Sequence, residues 1–483
     1  MKLEQKRTTL KQKNQTNFPD WSAMMPLVPE NGRKPANVYR LIRQAIDKKQ
    51  FEYGAKLPPS RDLAKRFSIS RSTVVAAYEM LAADGYIITK RGSGSFVASN
   101  VSRTFKPRIS VPEREQKSAY HLCELSIPLE NDKAMSVFRR LLNNRAAKAC
   151  IRHYNYTDPR GTLELREALS AYLRQARGLN LDASQIFITT GTQQSLDLCL
   201  RCFLSDKATI LVEDPSYHNA IQALEALGKK LEFLPHDKLD DDLNLPPADA
   251  ILLSPSRRFP LDGTIGLSQR LNLLKWAKDN NAMIIEDDYD SEIRFEASPM
   301  TAIQGLDDNG SVIYFGTFSK TLFAGLQCAY MVVPSHLCER LIKFRSLVDR
   351  RAVTFVEEAL ADFINGGHYA RHLRRSARIV KNNRDALVKG LQSGKGANLM
   401  QLAPPRQGLH LVTLLDKNIN DVALEAELQK AGFAVRAISN YCRNSRENGL
   451  LMGYCGFSPE LYEQAGKAIS DIIDTYKTCN RLF

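Results

Sequence analysis

Several things are missing from this chain of 483 residues, and each absence narrows what it can be. No apolar run approaches the ~20 residues that a membrane-spanning helix needs. The opening stretch MKLEQKRTTLKQKNQ is polar and has no apolar core, so no secretory signal is expected and a cytoplasmic setting is. Cysteine is present at 9 residues, an odd number without framework spacing, which reads as reduced thiols rather than a disulfide scaffold. Cys199 and Cys202 do form a CxxC, but inside the apolar helical stretch LDLCLRCFL and with no second pair at metal spacing. Core packing accounts for them, and no metal site is expected. Internal repeats and low-complexity tracts are absent as well, which argues against a repeat array. What remains is an ordinary globular composition, 43% hydrophobic and 25% charged, in a chain too long for one core. Two or more domains are expected.

The net charge of +14 is concentrated at one end. Residues 1–120 hold 23 Lys and Arg against 10 Asp and Glu, whereas the other 363 residues hold 44 against 43. A basic module on a neutral body points to a polyanionic partner for the first part alone. Residues 1–34 are polar, lack a clear period and read as an extension. Residues 35–98 read as a domain. A helix is signalled from Pro35, with Val38, Leu41, Ile42, Ala45 and Ile46 at three-to-four spacing behind the proline. Gly54 and Pro58-Pro59 break it, and Ser60 opens a short helix, SRDLAKRF. The turn Ser68-Ile69-Ser70 leads into RSTVVAAYEMLAADG, where Val74, Tyr78 and Leu81 form the inward stripe. The segment YIITKRGSGSFVAS then folds back on a glycine tip.

Helix, helix, tight turn, helix and hairpin make a winged helix-turn-helix, whose second motif helix presents its N-terminal residues to base edges. Arg71 is the leading base or phosphate contact, with Ser72 and Thr73 beside it. Arg61 is a phosphate candidate at a helix start, and Lys90, Arg91 and Gly94 belong to the wing. Double-stranded operator DNA is the expected partner. The competing reading, a three-helix module for protein contacts, fits the charge less well. The pieces LPPSRDLAKRFSISRSTVVAAYEMLAADGYI and RGSGSFV closely resemble the GntR family of bacterial regulators.

Residues 99–122 are polar at first, carry prolines and read as a linker. In 123–483, apolar runs alternate with helical ones: IFITT, ATILVED, LEFLP, AILLSPS, MIIED, VIYFGTF and AYMVV. This predicts an α/β fold with a mostly parallel sheet covered on both faces, whose ligands gather beyond the strands' carboxyl ends. Gly191, Thr192 and Gln193 follow IFITT; Tyr217 follows ATILVEDPS; Asp287 and Tyr289 follow MIIE; Thr317, Ser319 and Lys320 end VIYFGTF. A desolvated lysine amine can form a Schiff base with an aldehyde. A carboxylate facing a pyridine nitrogen keeps the ring electron-withdrawing. Tyrosines supply a phenol for an oxygen contact and a ring face for stacking, and a helix N-terminus holds phosphate. Taken singly, each residue is more often surface, cap or packing; their shared position at one end of one sheet favours a site.

The motifs YTDPRGTLELREALSAYL, ITTGTQQSLDL, VEDPSYHNA, IIEDDYDSEIRF, VIYFGTFSKTLF and GLLMGYCGFS resemble the fold-type-I aminotransferases. With the winged helix in front, the chain resembles the MocR-type branch of GntR. The resemblance implies pyridoxal 5'-phosphate on Lys320, its pyridine nitrogen on Asp287, its phenolic oxygen on Tyr289 and its ring on Tyr217. It also implies a homodimer and a smaller C-terminal subdomain drawn mainly from residues 346–483. The pattern breaks in three places. Gln327 stands where the family carries a phosphate-gripping arginine, which weakens the expected cofactor affinity roughly 10- to 150-fold. Arg257 and Arg258 replace a histidine and a glutamine; one of them is expected to supply the missing phosphate charge or to bind an anionic effector, with drift in an unused pocket as the alternative, and Arg258 is counted among the cofactor contacts. Leu451 and Met452 stand where aminotransferases place a carboxylate-binding arginine, which argues against transamination. The expected function is regulation of transcription through an aminotransferase-like body that senses pyridoxal phosphate or an amine reacting with it. The alternatives are an active aminotransferase with an accessory DNA-binding domain, or a regulator whose body has lost the cofactor.

Overall fold

The computed structural model describes residues 34–98, 120–125, 127–129, 132–239, 245–349 and 353–480. Most of the expected extension (1–34) and linker (99–122) therefore lies outside the described residues. The chain divides into two compact units, residues 1–116 and 117–483.

In the first unit, α1 (Pro35–Asp47), α2 (Ser60–Arg66) and α3 (Arg71–Ala83) precede a hairpin of β1 (Ile87–Lys90) and β2 (Gly94–Val97). Ser70 caps α3, its hydroxyl accepting from the Thr73 amide at 3.1 Å. Val74, Ala77, Tyr78 and Leu81 of α3 are buried against Val38, Ile42, Ala45 and Ile46 of α1 and Leu63 of α2. The stripe read from periodicity is the core stripe. The hairpin turns where Gly92 and Gly94 adopt positive φ, 76° and 107°, which a side chain would strain.

The second unit contains, in order, α4 (Asp132–Ala147), α5 (Leu163–Arg177), β3 (Ile186–Thr189), α6 (Thr192–Phe203), β4 (Thr209–Asp214), α7 (His218–Ala226) and β5 (Lys230–Pro235). There follow β6 (Ala250–Leu253), α8 (Leu267–Asn280), β7 (Met283–Asp288), β8 (Val312–Thr317), β9 (Ala329–Val332), α9 (Ser335–Val348), α10 (Thr354–Asn365) and α11 (His368–Ser393). The chain closes with β10 (Met400–Leu402), β11 (His410–Leu415), α12 (Asp421–Lys430), β12 (Arg436–Ala437), β13 (Gly449–Gly453) and α13 (Pro459–Asn480).

Each of the seven apolar runs read from the sequence is a strand of one sheet, ordered β3-β9-β8-β7-β6-β4-β5. All neighbours pair in parallel except β9, which is antiparallel to β3 and to β8. The near-continuous apolar composition follows from burial on both faces: every residue of β3, β6, β8 and β9 is buried. Cys199 and Cys202 are core residues of α6, packed with Ile210, Val212 and Phe315. A second, antiparallel sheet ordered β10-β11-β13-β12, with α11 and α13, forms the smaller C-terminal subdomain. Leu451 and Met452 are fully buried in β13.

Candidate functional site

Strand alternation sorts the three consecutive carboxylates at the end of β7. Glu286 accepts from the amides of Ile303 and Gln304, both at 3.0 Å. Asp288 is held by Arg177 Nε at 2.8 Å and by the Tyr314 hydroxyl at 2.6 Å. Asp287, between them, turns the other way into a cavity of about 420 Å³, and its buried Oδ1 has no hydrogen-bond partner. Burial and the adjacent Asp288 push its carboxyl up to about 7, against the pull of Lys320.

The cavity sits beyond the carboxyl ends of β3, β4, β6, β7 and β8 and gathers most of the residues expected from the sequence. Lys320, Asp287, Tyr289, Tyr217, Gly191, Thr192, Gln193, Thr317 and Ser319 all line it. Burial holds the Lys320 amine below its ordinary value, while Asp290 and Asp287 oppose that shift. The Tyr289 hydroxyl is buried without a hydrogen-bond partner, and burial raises it well above the usual phenol value. Tyr217 is 38% exposed at the mouth. Gly191 caps α6 in extended backbone, and a Cβ there would meet nothing within 4 Å, so the helix N-terminus opens onto free space. Thr317 Oγ1 accepts from the Ser319 amide at 3.1 Å, shaping the turn that carries Lys320.

Arg258 lies elsewhere. It is 4% exposed, binds Glu213 through Nε at 2.7 Å and donates to the His236 carbonyl, and it does not line the cavity. Its charge is taken by Glu213, so the expectation that Arg258 stands in for the missing phosphate arginine is corrected. Gln327 does line the cavity, in left-handed backbone at φ 50°. Arg257 lies beneath the wall, binding Asp290 Oδ2 at 2.7 Å and Asp262 Oδ1 at 3.0 Å and donating to the His410 carbonyl.

Sequence reasoning missed Asp290, His410, Phe259, Tyr441, Leu125 and Leu409, all of which line the cavity. Phe259 is its aromatic hub, with ring centroids 5.4–6.0 Å from Tyr441, His410, Tyr217 and Tyr289. Asp290 and Phe259 lie inside motifs read for other residues. His410 arrives from β11, more than a hundred residues away, and nothing local marks it.

In the first unit most of the DNA candidates lie on the surface. Arg61, Arg71, Ser72, Lys90 and Arg91 are exposed, with Thr73 half-buried. Arg71 Nε reaches Ser60 Oγ at 3.4 Å, joining the starts of α2 and α3. Ser72 and Thr73 turn their hydroxyls to Ser70 Oγ at 2.8 and 2.7 Å. Lys90 of the wing lies over the Phe96 ring at 5.5 Å, and a Cβ at Gly94 would touch the Lys56 side chain at 3.0 Å.

Residues 34–97 match the family model of bacterial regulatory proteins of the gntR family, and residues 130–469 match aminotransferase class I and II. The chain is 31% identical over 448 residues to the probable rhizopine catabolism regulatory protein MocR of Rhizobium meliloti, covering 88% of this chain and 90% of that one. The chain belongs to the MocR-type regulators, the aminotransferase-like branch of the GntR family. It is a transcription regulator with a DNA-binding module and an aminotransferase-like body. It is also 29% identical over 449 residues to the pyridoxine biosynthesis transcriptional regulator PdxR of Corynebacterium glutamicum, covering 91% and 96% of the two chains. Among solved structures, an archaeal alanine:glyoxylate aminotransferase matches with a TM-score of 0.67 at 22% identity, covering 75% of this chain and 92% of that one. The kynurenine aminotransferase of Pyrococcus horikoshii matches with a TM-score of 0.66 at 23% identity, covering 74% and 92%. These structural matches establish the fold of the body. No helix among the described residues is long and apolar enough to cross a membrane.

Proposed function

We propose that this regulator holds pyridoxal 5'-phosphate at Lys320 and couples occupancy of that cavity by the cofactor, or by an amine reacting with it, to operator binding. One observation carries the reading: a half-buried lysine shares a cavity with an aspartate oxygen and a tyrosine hydroxyl that are buried without hydrogen-bond partners. Orphaned buried polar atoms cost about 1–3 kcal/mol each, so a cavity lined with them suits a ligand that satisfies them. When bound, pyridoxal phosphate supplies an aldehyde for amines to condense with and an electron-withdrawing pyridine ring.

The residues present fit that group. Asp287 would accept from the protonated pyridine nitrogen, whose positive charge offsets the cost of burying the carboxylate. Tyr289 would donate to the phenolic oxygen, Tyr217 would cover the ring, and the amides of Gly191, Thr192 and Gln193 would hold the phosphate. Lys320, with its charged form disfavoured by burial, is suited to act as the amine nucleophile. Thr317 and Ser319 would frame the phosphate end. Gln327 would contribute a neutral contact there in place of a charge-assisted one.

Operator DNA would be held by Arg61, Lys90 and Arg91 through phosphates and read by Arg71, with Ser72 and Thr73 at the same helix end. A homodimer in the cytoplasm would address two half-sites. The exposed apolar side chains Ile151, Tyr154, Tyr156 and Leu347 of the body support a covering partner. The test is an absorption spectrum of the full chain with added pyridoxal phosphate, wild type against Lys320→Ala, with borohydride trapping and operator footprinting. A visible band that needs Lys320, and a footprint that changes with the ligand, is the expected result. Absence of the band at saturating cofactor, or a footprint indifferent to cofactor and every amine, sinks it.

A further inference from the structure

The segment that carries Asp287 serves two cavities. Asp287, Tyr289 and Asp290 line the one that holds Lys320, while Ser291 and Arg294, a few residues on, line a second of about 410 Å³. Its walls come mainly from three stretches of the body: residues 256 and 262–264 after β6, residues 291–300 after β7, and residues 403–407 of the loop between β10 and β11. Backbone bonds tie the last two together. The Gly408 amide donates to the Ile293 carbonyl at 2.7 Å, and the Glu296 amide to the Arg406 carbonyl at 3.1 Å. Among the described residues, none lines both cavities.

Two donors in this second cavity are unused. Ser291 is 1% exposed, and its hydroxyl has no hydrogen-bond partner. Arg294 is half-buried, and its Nη1 is buried without one. The charges around them are already matched. Arg177 is paired with Asp288 and gives its remaining N–H groups to Ser256 Oγ at 2.5 Å and the Met300 carbonyl at 3.1 Å. Asp262, the carboxylate on the wall, is ion-paired to Arg257 at 3.0 Å. Glu292 attracts Arg294 without forming an ion pair, and burial and Asp288 hold its carboxyl well above the ordinary carboxylate range. Burial and the Arg177 charge press against the Arg294 cation, a cost that arginine does not relieve by losing its proton. Arg406, exposed on the wall, adds a second cation, bonded to the Glu296 carbonyl at 2.8 Å rather than to a carboxylate.

A guanidinium and a hydroxyl left unpaired in one cavity are both satisfied by a single oxyanion, through a charge-assisted bond and a neutral one. Ala297, Met300, Ala403, Pro404 and Pro405 supply apolar wall beside them. We propose that this cavity is a second ligand site, separate from that of Lys320, for a small oxyanion with a compact apolar body. Arg294 Nη1 and Ser291 Oγ donate to the anion, and the apolar wall covers the body. The head is a carboxylate or a phosphate, since a guanidinium fits both.

The test is a ligand-observed NMR titration of the full-length protein in phosphate-free buffer at fixed ionic strength. The probes are benzoate, isobutyrate and inorganic phosphate, with benzamide and isobutyramide as uncharged counterparts. The better carboxylate is expected to bind at least about tenfold tighter than its amide. Arg294→Met is expected to weaken the tightest anion roughly tenfold or more, and Ser291→Ala, which removes a neutral donor, about two- to tenfold. Neither residue lines the Lys320 cavity, so anion binding at the helix end there would survive both changes. A tighter hold on phosphate than on the carboxylates assigns the site to phosphate esters, and the reverse order assigns it to organic acids. No saturable binding of any anion, amides that bind as tightly as their carboxylates, or anion affinity unchanged in both variants overturns the proposal. The comparison of carboxylate with amide needs only the wild-type chain, so it decides the matter even where a substitution does not fold.

Discussion

The tip of α3 and the floor of the body's cavity are both polar, and they treat their polar atoms in opposite ways. At the tip, Ser72 and Thr73 both bond the Ser70 hydroxyl and Arg71 reaches Ser60, with Ser70, Arg71 and Ser72 exposed. In the cavity, Asp287 Oδ1, Tyr289 Oη and Asp290 Oδ1 are buried and have no hydrogen-bond partner. A surface site is complete with water and adds a polyanion through charge and counterion release. A buried site with orphaned atoms is incomplete until a molecule of matching chemistry enters. The difference teaches where selectivity for a small molecule can reside in this chain. The unpartnered atoms of Asp287 and Tyr289 face the space a ligand would fill, whereas the hydroxyls of the helix tip are partnered at the surface.

The largest way to break the comparison is at the cavity. Asp287→Asn removes a charge-assisted partner for the pyridine nitrogen, and pyridoxal phosphate affinity is expected to fall roughly 10- to 150-fold. Spectrophotometric titration checks this; an unchanged affinity means the orphan oxygen is not a ligand contact. The converse change sharpens the picture. Gln327→Arg restores a cationic phosphate contact at a residue that already lines the cavity, and affinity is expected to rise by a similar factor. No gain would show that the phosphate does not lie against this residue.

At the helix tip, Arg71→Ala is expected to cost about 1–3 kcal/mol of specific operator binding if the guanidinium reads a base. If it touches phosphate only, specific and non-specific affinity fall together and the salt slope shrinks by about one. Competition binding at several salt concentrations separates these.

The smallest effect is on stability against pH. Asp287, raised to about 7, keeps its proton in the folded chain where the unfolded chain has lost it. Its contribution therefore becomes less favourable as pH rises from the ordinary carboxylate range toward 7, and stays at that level above. Asp287→Asn has no such slope. Its cofactor-free melting temperature is expected to exceed wild type by a few degrees at pH 8, with the gap closing near pH 4. A gap independent of pH would mean that the carboxylate is not desolvated.

Much of the architecture was legible because its signals are local. Strands buried on both faces must be continuously apolar, so IFIT, AILL and VIYFGT announce themselves, as do the stripe of Val74, Tyr78 and Leu81 and the glycine tip of the wing. The residues at strand ends were legible for the same reason: the carboxyl ends of neighbouring parallel strands lie at one edge of the sheet. Arg258 shows the limit. Its neighbours in the chain place it near the cavity, but only the fold shows that Glu213 of β4 has already taken its charge.

By itself the sequence determined two modules, the strand runs, the basic charge of the first module and the set Lys320, Asp287, Tyr289 and Tyr217 at one sheet edge. Each of these depends on residue type and short spacing, which a chain carries in any conformation. The tertiary structure alone decided which polar atoms are satisfied and which are left over. Arg257 of one loop meets Asp290 of another and the His410 carbonyl of β11, so its charge is answered inside the fold. Hydrogen-bond satisfaction is a property of groups far apart in the chain and shielded from water together, so it exists only once the chain has folded.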